Sequence, residues 1–273
     1  MTASGKPSRP RFPVSLARVV PPARPVDAQQ AQRQLADAAR DARRGVPPWR
    51  GVGSDNAAVR LRMVERLQND GVRDARVLHA MLAVPRHLFV DSGLSAQAYE
   101  DTSLPIGLGQ TISKPSVVAR MMEWLLLGTT ARQCGHLGRV LEIGTGCGYQ
   151  AAVLAQLAQH VVSLERLEGL HQQAAHRLTQ PGLVLPAPCH LVFGDGMLGA
   201  PEHAPFDSII AAAGGEELPT AWLEQLAMGG RLVAPARAPG GGQALMIVDR
   251  TPHGWQQVVG EAVQFVPLKS GIA

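Results

Sequence analysis

The segment Val140-Leu141-Glu142-Ile143-Gly144-Thr145-Gly146-Cys147-Gly148-Tyr149 limits the fold of this chain more than any other stretch. A short apolar run enters three glycines at alternate positions, and Gln150–Gln159 then reads as a helix. Glycine adopts backbone conformations that a Cβ forbids. Such a loop therefore turns sharply and lets a ligand approach backbone N–H groups closely. A strand, a glycine turn and a helix in that order make the first half of a parallel β-α-β unit.

The same alternation continues. Apolar runs at Val161–Leu164, His190–Phe193, Asp207–Ala212 and Arg231–Ala234 read as strands, with Leu167–Leu178 and Pro219–Leu226 as helices between them. The end of the chain differs. Ala244–Asp249 and Trp255–Phe265 are two β segments joined at Pro252-His253-Gly254, a hairpin fit for the edge of a mixed sheet. Upstream, Val59, Met63, Val64 and Leu67 recur at helical spacing after Ser54, and Gly71 sits where a helix ends. Asp74 opens a second helix with Val77, Leu78, Met81 and Leu82 inward, and Pro85 stops it. Residues 101–115 read as a loop, followed by a helix over Ser116–Leu127. The predicted class is α/β: a doubly wound, mostly parallel, Rossmann-like sheet with an antiparallel C-terminal edge hairpin and added N-terminal helices.

Charge divides the chain. Residues 1–53 hold ten basic and three acidic side chains, whereas the other 220 residues hold 16 and 19. The high isoelectric point therefore belongs to the leader and gives no ground for a nucleic-acid surface on the body. The leader also carries eight of the 21 prolines, which remove backbone donors, so a disordered basic extension with one Ala/Arg-rich helical island near 27–44 is expected. The body, 54–273, divides into an N-terminal helical and loop part, 54–127, and a sheet, 138–273. Cys134, Cys147 and Cys189 cannot all pair within one chain and suit a reducing compartment. No apolar run reaches the ~20 residues of a membrane span. Cys134 and His136 have no second pair at ligand spacing, so no metal is expected.

Two acids accompany the glycine loop. Glu165 ends the next strand 21 residues beyond Gly144, where an acid binds a ribose hydroxyl. Asp195-Gly196 follows the third strand on the same carboxyl edge, where an adenine would lie. The loop spacing is GxGxG, and a dinucleotide site commonly reads GxGxxG. Glu142 just before the loop is poorly placed for a pyrophosphate and well placed for an ammonium group, which favours S-adenosylmethionine. Taken singly, the glycines could form a plain turn, Glu165 a solvated strand end and Asp195-Gly196 a tight turn.

Other segments give a more specific signal. Val84-Pro85-Arg86-His87-Leu88-Phe89-Val90, the loop Leu104–Ser113 (LPIGLGQTIS), Val140–Gln150 (VLEIGTGCGYQ), Phe206–Ile210 and Phe265-Val266-Pro267-Leu268 occur in one order. In that set the chain resembles the protein-L-isoaspartate O-methyltransferases, from about Ala58 to the C-terminus. The resemblance implies methyl transfer from S-adenosylmethionine to the free α-carboxyl of L-isoaspartyl residues in damaged proteins. The methyl ester then closes to a succinimide that reopens as aspartate. It implies Ser113 as the catalytic residue. It implies a cofactor site of Ile112, Glu142, Gly144, Thr145, Gly146, Tyr149, Gln150, Glu165, Asp195 and Gly196. It also implies a substrate groove of Leu104, Pro105, Ile106, Gly107, Ala212, Val266, Pro267 and Leu268. Isoaspartyl peptides and proteins are the expected partners, without membrane or nucleic acid; a cytoplasmic monomer is expected. His87 reads as a packing residue rather than a base. Lys114 adds a positive charge beside the proposed carboxylate site.

There are departures from the family pattern. Ala212 stands where the family often has threonine, and Gly215-Glu216 replaces a Pro-Pro pair, which bears on peptide affinity. Two alternatives stay open at this point. One is an S-adenosylmethionine enzyme acting on a small molecule or nucleic acid. The other is a non-catalytic adaptor whose leader binds an anionic partner.

Overall fold

The structure is a computed structural model and describes residues 54–273; the leader, with its expected helical island, lies outside the described residues. Two helices, α1 (Ser54–Asn69) and α2 (Ala75–Ala83), come first. The Asp74 side chain caps α2 by accepting from Arg76 N. Gly71 between the helices has φ 101, a conformation that favours glycine. A two-stranded hairpin follows, β1 (Leu104–Gly107) and β2 (Gln110–Ile112), then α3 (Pro115–Leu126) and α4 (Thr129–Cys134).

Residues 101–115, expected to be a loop, thus contain a hairpin. Its tip residues Leu108 and Gly109 both have positive φ (51 and 69), which a two-residue type I′ turn requires. The strands are too short, and too interrupted by Pro105 and Gly107, to show an alternating pattern. They hold because Leu104, Ile106 and Ile112 are buried in the core. Helix α4 was not anticipated either, because its sequence TTARQC has no apolar stripe.

The main sheet contains β3 (Arg139–Ile143), β4 (His160–Glu165), β5 (Cys189–Phe193), β6 (Phe206–Ala211), β7 (Leu226–Arg237), β8 (Gln243–Thr251) and β9 (Gly254–Val263). Their order is β5-β4-β3-β6-β7-β8-β9. The first five are mutually parallel, and β8 and β9 run antiparallel at the edge. Between β3 and β6 the winding direction changes, so a crevice opens beyond the carboxyl ends of these strands. Helices α5 (Tyr149–Ala155), α6 (Glu168–Leu178) and α7 (Thr220–Gln225) connect the strands.

Alternate residues serve opposite faces of the sheet. Val140 and Val161 pack into one core with α1, α2, α3 and α5, while Leu141, Ile143, Val162 and Leu164 pack into another with Trp222 and Leu223. Each fully buried aliphatic side chain contributes about 1.5–3 kcal/mol, so this patterning holds the strand ends in register. At the far side of the sheet, Arg231 donates Nε and Nη2 to the two Asp249 oxygens, each at 2.7 Å, and Nη1 to Trp124 O at 2.9 Å. That fork ties β7 and β8 to α3.

Candidate active site

Three segments enclose the cleft at the carboxyl ends of the strands. The first is the glycine loop between β3 and α5. Gly144 N and Thr145 N donate to Leu164 O at 2.8 and 3.1 Å, which carries the loop across β4. A Cβ on Gly148 would lie 3.3 Å from Leu178 Cγ, and φ there is 90, so glycine lets the loop pass close under α6. The Glu165 carboxylate braces the loop: Oε2 accepts from Gly146 N at 2.8 Å and Oε1 from Leu167 N at 3.0 Å.

The second segment is the β1–β2 hairpin with the residues after it. A Cβ on Gly146 would stand 3.2 Å from Ile106 Cδ1, so the hairpin lies directly on the loop. Its tip crosses to α6, where Leu108 Cδ1 would be 3.3 Å from a Cβ on Gly169. Gln110, Thr111, Ile112 and Ser113 line the cleft from this side. Behind the hairpin, Arg86 is fully buried. Its Nε donates to Ala98 O at 2.7 Å, and its guanidinium lies 4.8 Å from the Tyr149 ring centroid. Burial lowers the pKa of Arg86 and pushes the Tyr149 phenol up to about 12, so the ring beside the guanidinium is a neutral phenol.

The third segment is the tail after β9. Gly214 N donates to Val266 O and Leu268 N to Gly214 O, both at 2.9 Å, so the tail runs beside the residues that follow β6. Val266, Pro267, Leu268 and Lys269 line the cleft. Farther on, Arg166 Nε donates to Gly271 O at 2.8 Å, Gly271 N to Asp195 Oδ2 at 2.6 Å, and Glu168 N to Ala273 O at 2.9 Å.

Beneath the loop is a buried polar cluster. Glu142 and Ser163 are register partners on β3 and β4, and Ser163 Oγ donates to Glu142 Oε2. Thr145 Oγ1 lies 2.6 Å from Ser163 Oγ. Glu142 Oε1 and both polar atoms of the Gln150 amide are buried without a partner among the described residues. Burial pushes the Glu142 carboxyl up to about 8, against the hydrogen bond from Ser163. Buried polar atoms almost always find partners, so these orphans mark where a ligand's donors and acceptors belong. An amino-acid headgroup with an ammonium suits them, and the bare loop leaves room for its backbone contacts.

The cleft thus gathers Ser113, Ile112, Gly144, Thr145, Gly146, Tyr149, Gln150, Glu165 and Gly196 with Ile106, Ala212, Val266, Pro267 and Leu268. Glu142 sits one layer behind it. Leu104, Pro105 and Gly107 support the hairpin without lining the cleft, and Tyr149 OH points away toward Met81 Sδ. Asp195 is also outside the lining, its oxygens taken by Met197 N at 2.8 Å and by Gly271 N. Gly196 is held instead by Trp222 Nε1, which donates to its carbonyl at 2.7 Å. A Cβ on Gly196 would lie 2.6 Å from Ile143 Cγ2. His87 is half-buried against Tyr99, with Nδ1 at 2.6 Å from its hydroxyl, and does not line the cleft. Of the family departures, Ala212 borders the cleft, whereas Glu216 forms an exposed pair with Arg237 at 2.7 Å.

Sequence reasoning missed Arg166, Leu167, Leu170 and Lys269, which also line the cleft. Arg166 and Leu167 directly follow the strand-end acid, so their position was available as a signal. Lys269 reaches the cleft only through the docking of the tail.

A doubly wound sheet of this order, with a glycine loop at its switch point and a strand-end acid in the same cleft, is the arrangement of S-adenosylmethionine-dependent methyltransferases. Comparison narrows the class. The family model described as Protein-L-isoaspartate(D-aspartate) O-methyltransferase (PCMT) matches residues 58–273. The chain belongs to this family. It is 54% identical over 275 residues to the protein-L-isoaspartate O-methyltransferase of Methylibium petroleiphilum, covering 99% of each chain. It is 52% identical over 283 residues to that of Leptothrix cholodnii, covering 99% of this chain and 98% of the other. Among solved structures, a protein-L-isoaspartate O-methyltransferase superposes with a TM-score of 0.66 at 28% identity, over 78% of this chain and 67% of that one. A Plasmodium falciparum structure, titled a putative enzyme of this kind in complex with S-adenosyl-L-homocysteine, gives a TM-score of 0.62 at 25% identity. That match covers 77% of this chain and 98% of the other. The cofactor of the family is S-adenosylmethionine.

Proposed function

We propose that this cleft methylates the free α-carboxyl of L-isoaspartyl residues in peptides and damaged proteins. One observation carries the reading: Ser113, just after the hairpin, and the tail at 266–268 line the same cleft as the glycine loop. A cofactor site and an acceptor groove therefore share one opening.

S-adenosylmethionine supplies a methyl group activated on its sulfonium. Glu142, Gln150 and the loop backbone from Gly144 to Gly146 hold its amino-acid end. Glu165 and Gly196 border its nucleoside, and Ile112 packs against it. Asp195 acts indirectly, by fixing the turn at Gly196 and the tail. The acceptor carboxylate is already ionised at neutral pH, its ordinary pKa being about 4. No general base is required. Catalysis then rests on holding the oxygen in line with the methyl carbon and on excluding water. A carboxylate lone pair forms the new O–C bond as the S–C bond breaks, and its electrons return to sulfur. Ser113 makes no side-chain hydrogen bond among the described residues, which leaves its hydroxyl available to orient the carboxylate. Ile106, Ala212, Val266, Pro267 and Leu268 form the groove, with Leu104, Pro105 and Gly107 shaping the hairpin.

On the same reading residues 54–273 are the catalytic unit and 1–53 an extension. The protein is read as a cytoplasmic monomer acting without membrane or nucleic acid. No helix among the described residues is long and apolar enough to cross a membrane, and all three cysteines are free.

The test is methyl transfer from labelled S-adenosylmethionine to two matched peptides, one with L-isoaspartate and one with aspartate. Base-labile label on the isoaspartyl peptide alone is expected. Equal labelling of both, or of neither with cofactor binding intact, refutes the reading.

A further inference from the structure

We infer that Gln243 is a positioning residue for the peptide groove, holding the tail wall from outside the cleft. The inference rests on the assignment of residues 266–268 to that groove.

Gln243 opens β8 and is the register partner of Val263, the last residue of β9. Beyond Val263 the tail leaves the sheet, so Phe265 N–H has lost its strand partner. Gln243 Oε1 accepts from Phe265 N at 2.8 Å and replaces it. A backbone N–H only donates, so this bond also fixes which end of the amide faces the tail. The rest of the amide lies across Gly214. A Cβ there would stand 2.7 Å from Gln243 Nε2 and 3.0 Å from Cδ. Gly214 is the residue whose N–H and C=O bond Val266 and Leu268. The next carbonyl, Gly215 O, accepts from Arg237 N at 3.1 Å, which anchors the same loop to the end of β7.

Gln243 therefore stands at a junction of β8, the loop after β6 and the tail. Phe265 packs its ring against the core, which sets the depth of the tail. The Gln243 bond sets its direction one residue before the groove begins. Gln243 itself does not line the cleft, so its loss acts only through the wall it aims.

The experiment uses the full-length enzyme and measures KM and kcat for an L-isoaspartyl peptide, with the affinity for S-adenosylhomocysteine alongside. Gln243→Leu keeps the bulk and removes the acceptor. It is expected to raise peptide KM about tenfold, the scale of one lost half-buried hydrogen bond, with kcat within about twofold. Gln243→Glu keeps an acceptor at the same reach and is expected to restore KM. Gln243→Asn, one methylene shorter, is expected to behave like the leucine variant and replaces it if that variant does not fold. Leu268→Ala tests the groove assignment separately and is expected to raise KM. A raised KM in Leu268→Ala with unchanged KM in Gln243→Leu overturns the role of Gln243 alone. Unchanged KM in Leu268→Ala overturns the groove assignment. Equal damage in Gln243→Leu and Gln243→Glu with a lowered Tm reduces Gln243 to a packing residue and overturns the inference.

Discussion

Glu142 is a carboxyl group with no exposed surface, placed where the glycine loop begins. In an unfolded chain it ionises near 4.3, and in the folded protein burial moves it to about 8. Between those values the folded state binds one more proton than the unfolded state. The stabilisation from this group is therefore complete below the unfolded pKa and is lost as pH rises toward about 8. In Glu142→Gln, neutral at every pH, the decline in stability between pH 5 and 8 is expected to flatten, by an amount on the order of a few kcal/mol. Urea midpoints of both forms at the two pH values measure it; parallel declines would mean that Glu142 is ionised in the folded protein. Ser113→Ala is expected to lower kcat/KM about tenfold or more while Tm stays unchanged, because the hydroxyl has no structural bond to lose. Steady-state assays with a thermal melt decide this. Single residues were unevenly legible in the sequence. Glu142 and Glu165 stand out because a local spacing places them at the loop. Asp195 shared that kind of signal, yet one of its oxygens is claimed by Gly271, a partner 76 residues away that no local pattern reveals.

The β1–β2 hairpin borders the cleft but has little stability of its own, since two short strands close around a tip of two left-handed residues. Gly107, with φ 94, has nothing within 4 Å of where a Cβ would lie. Gly107→Ala therefore incurs backbone strain without a clash, about 1–2 kcal/mol. The expected result is a several-fold loss of peptide turnover with little change in global Tm, because such an element opens locally before the domain unfolds. Hydrogen exchange at Ile106 and Ile112, read beside activity, checks it; a large drop in Tm would mean that the hairpin unfolds only together with the rest of the domain. The strands and helices of the sheet were readable because continuous apolar runs end in glycine or a polar cap. The hairpin and α4 were not, since three- to six-residue elements carry no measurable period and take their form from contacts with distant residues.

At the scale of the molecule, one core among the described residues joins α1 to β8. The family match begins at residue 58, so a chain starting at residue 54 is expected to keep the Tm and the kcat/KM of the full protein on a neutral peptide, within about twofold. Expression of residues 54–273 beside the full chain tests this. A collapse of Tm would place part of the core in the leader. The alignment with the Methylibium relative spans 99% of the chain and so takes in most of this leader.

The cleft is lined in part by a tail that begins more than 150 residues after the hairpin lining it too, and the glycine loop lies between them in sequence. Contacts this distant in the chain form late, because loop closure must be completed before they stabilise anything. During refolding, secondary structure is therefore expected to return before methyl transfer does. A repair enzyme built in this way stays inert toward its neighbours, and toward itself, until its own folding is finished.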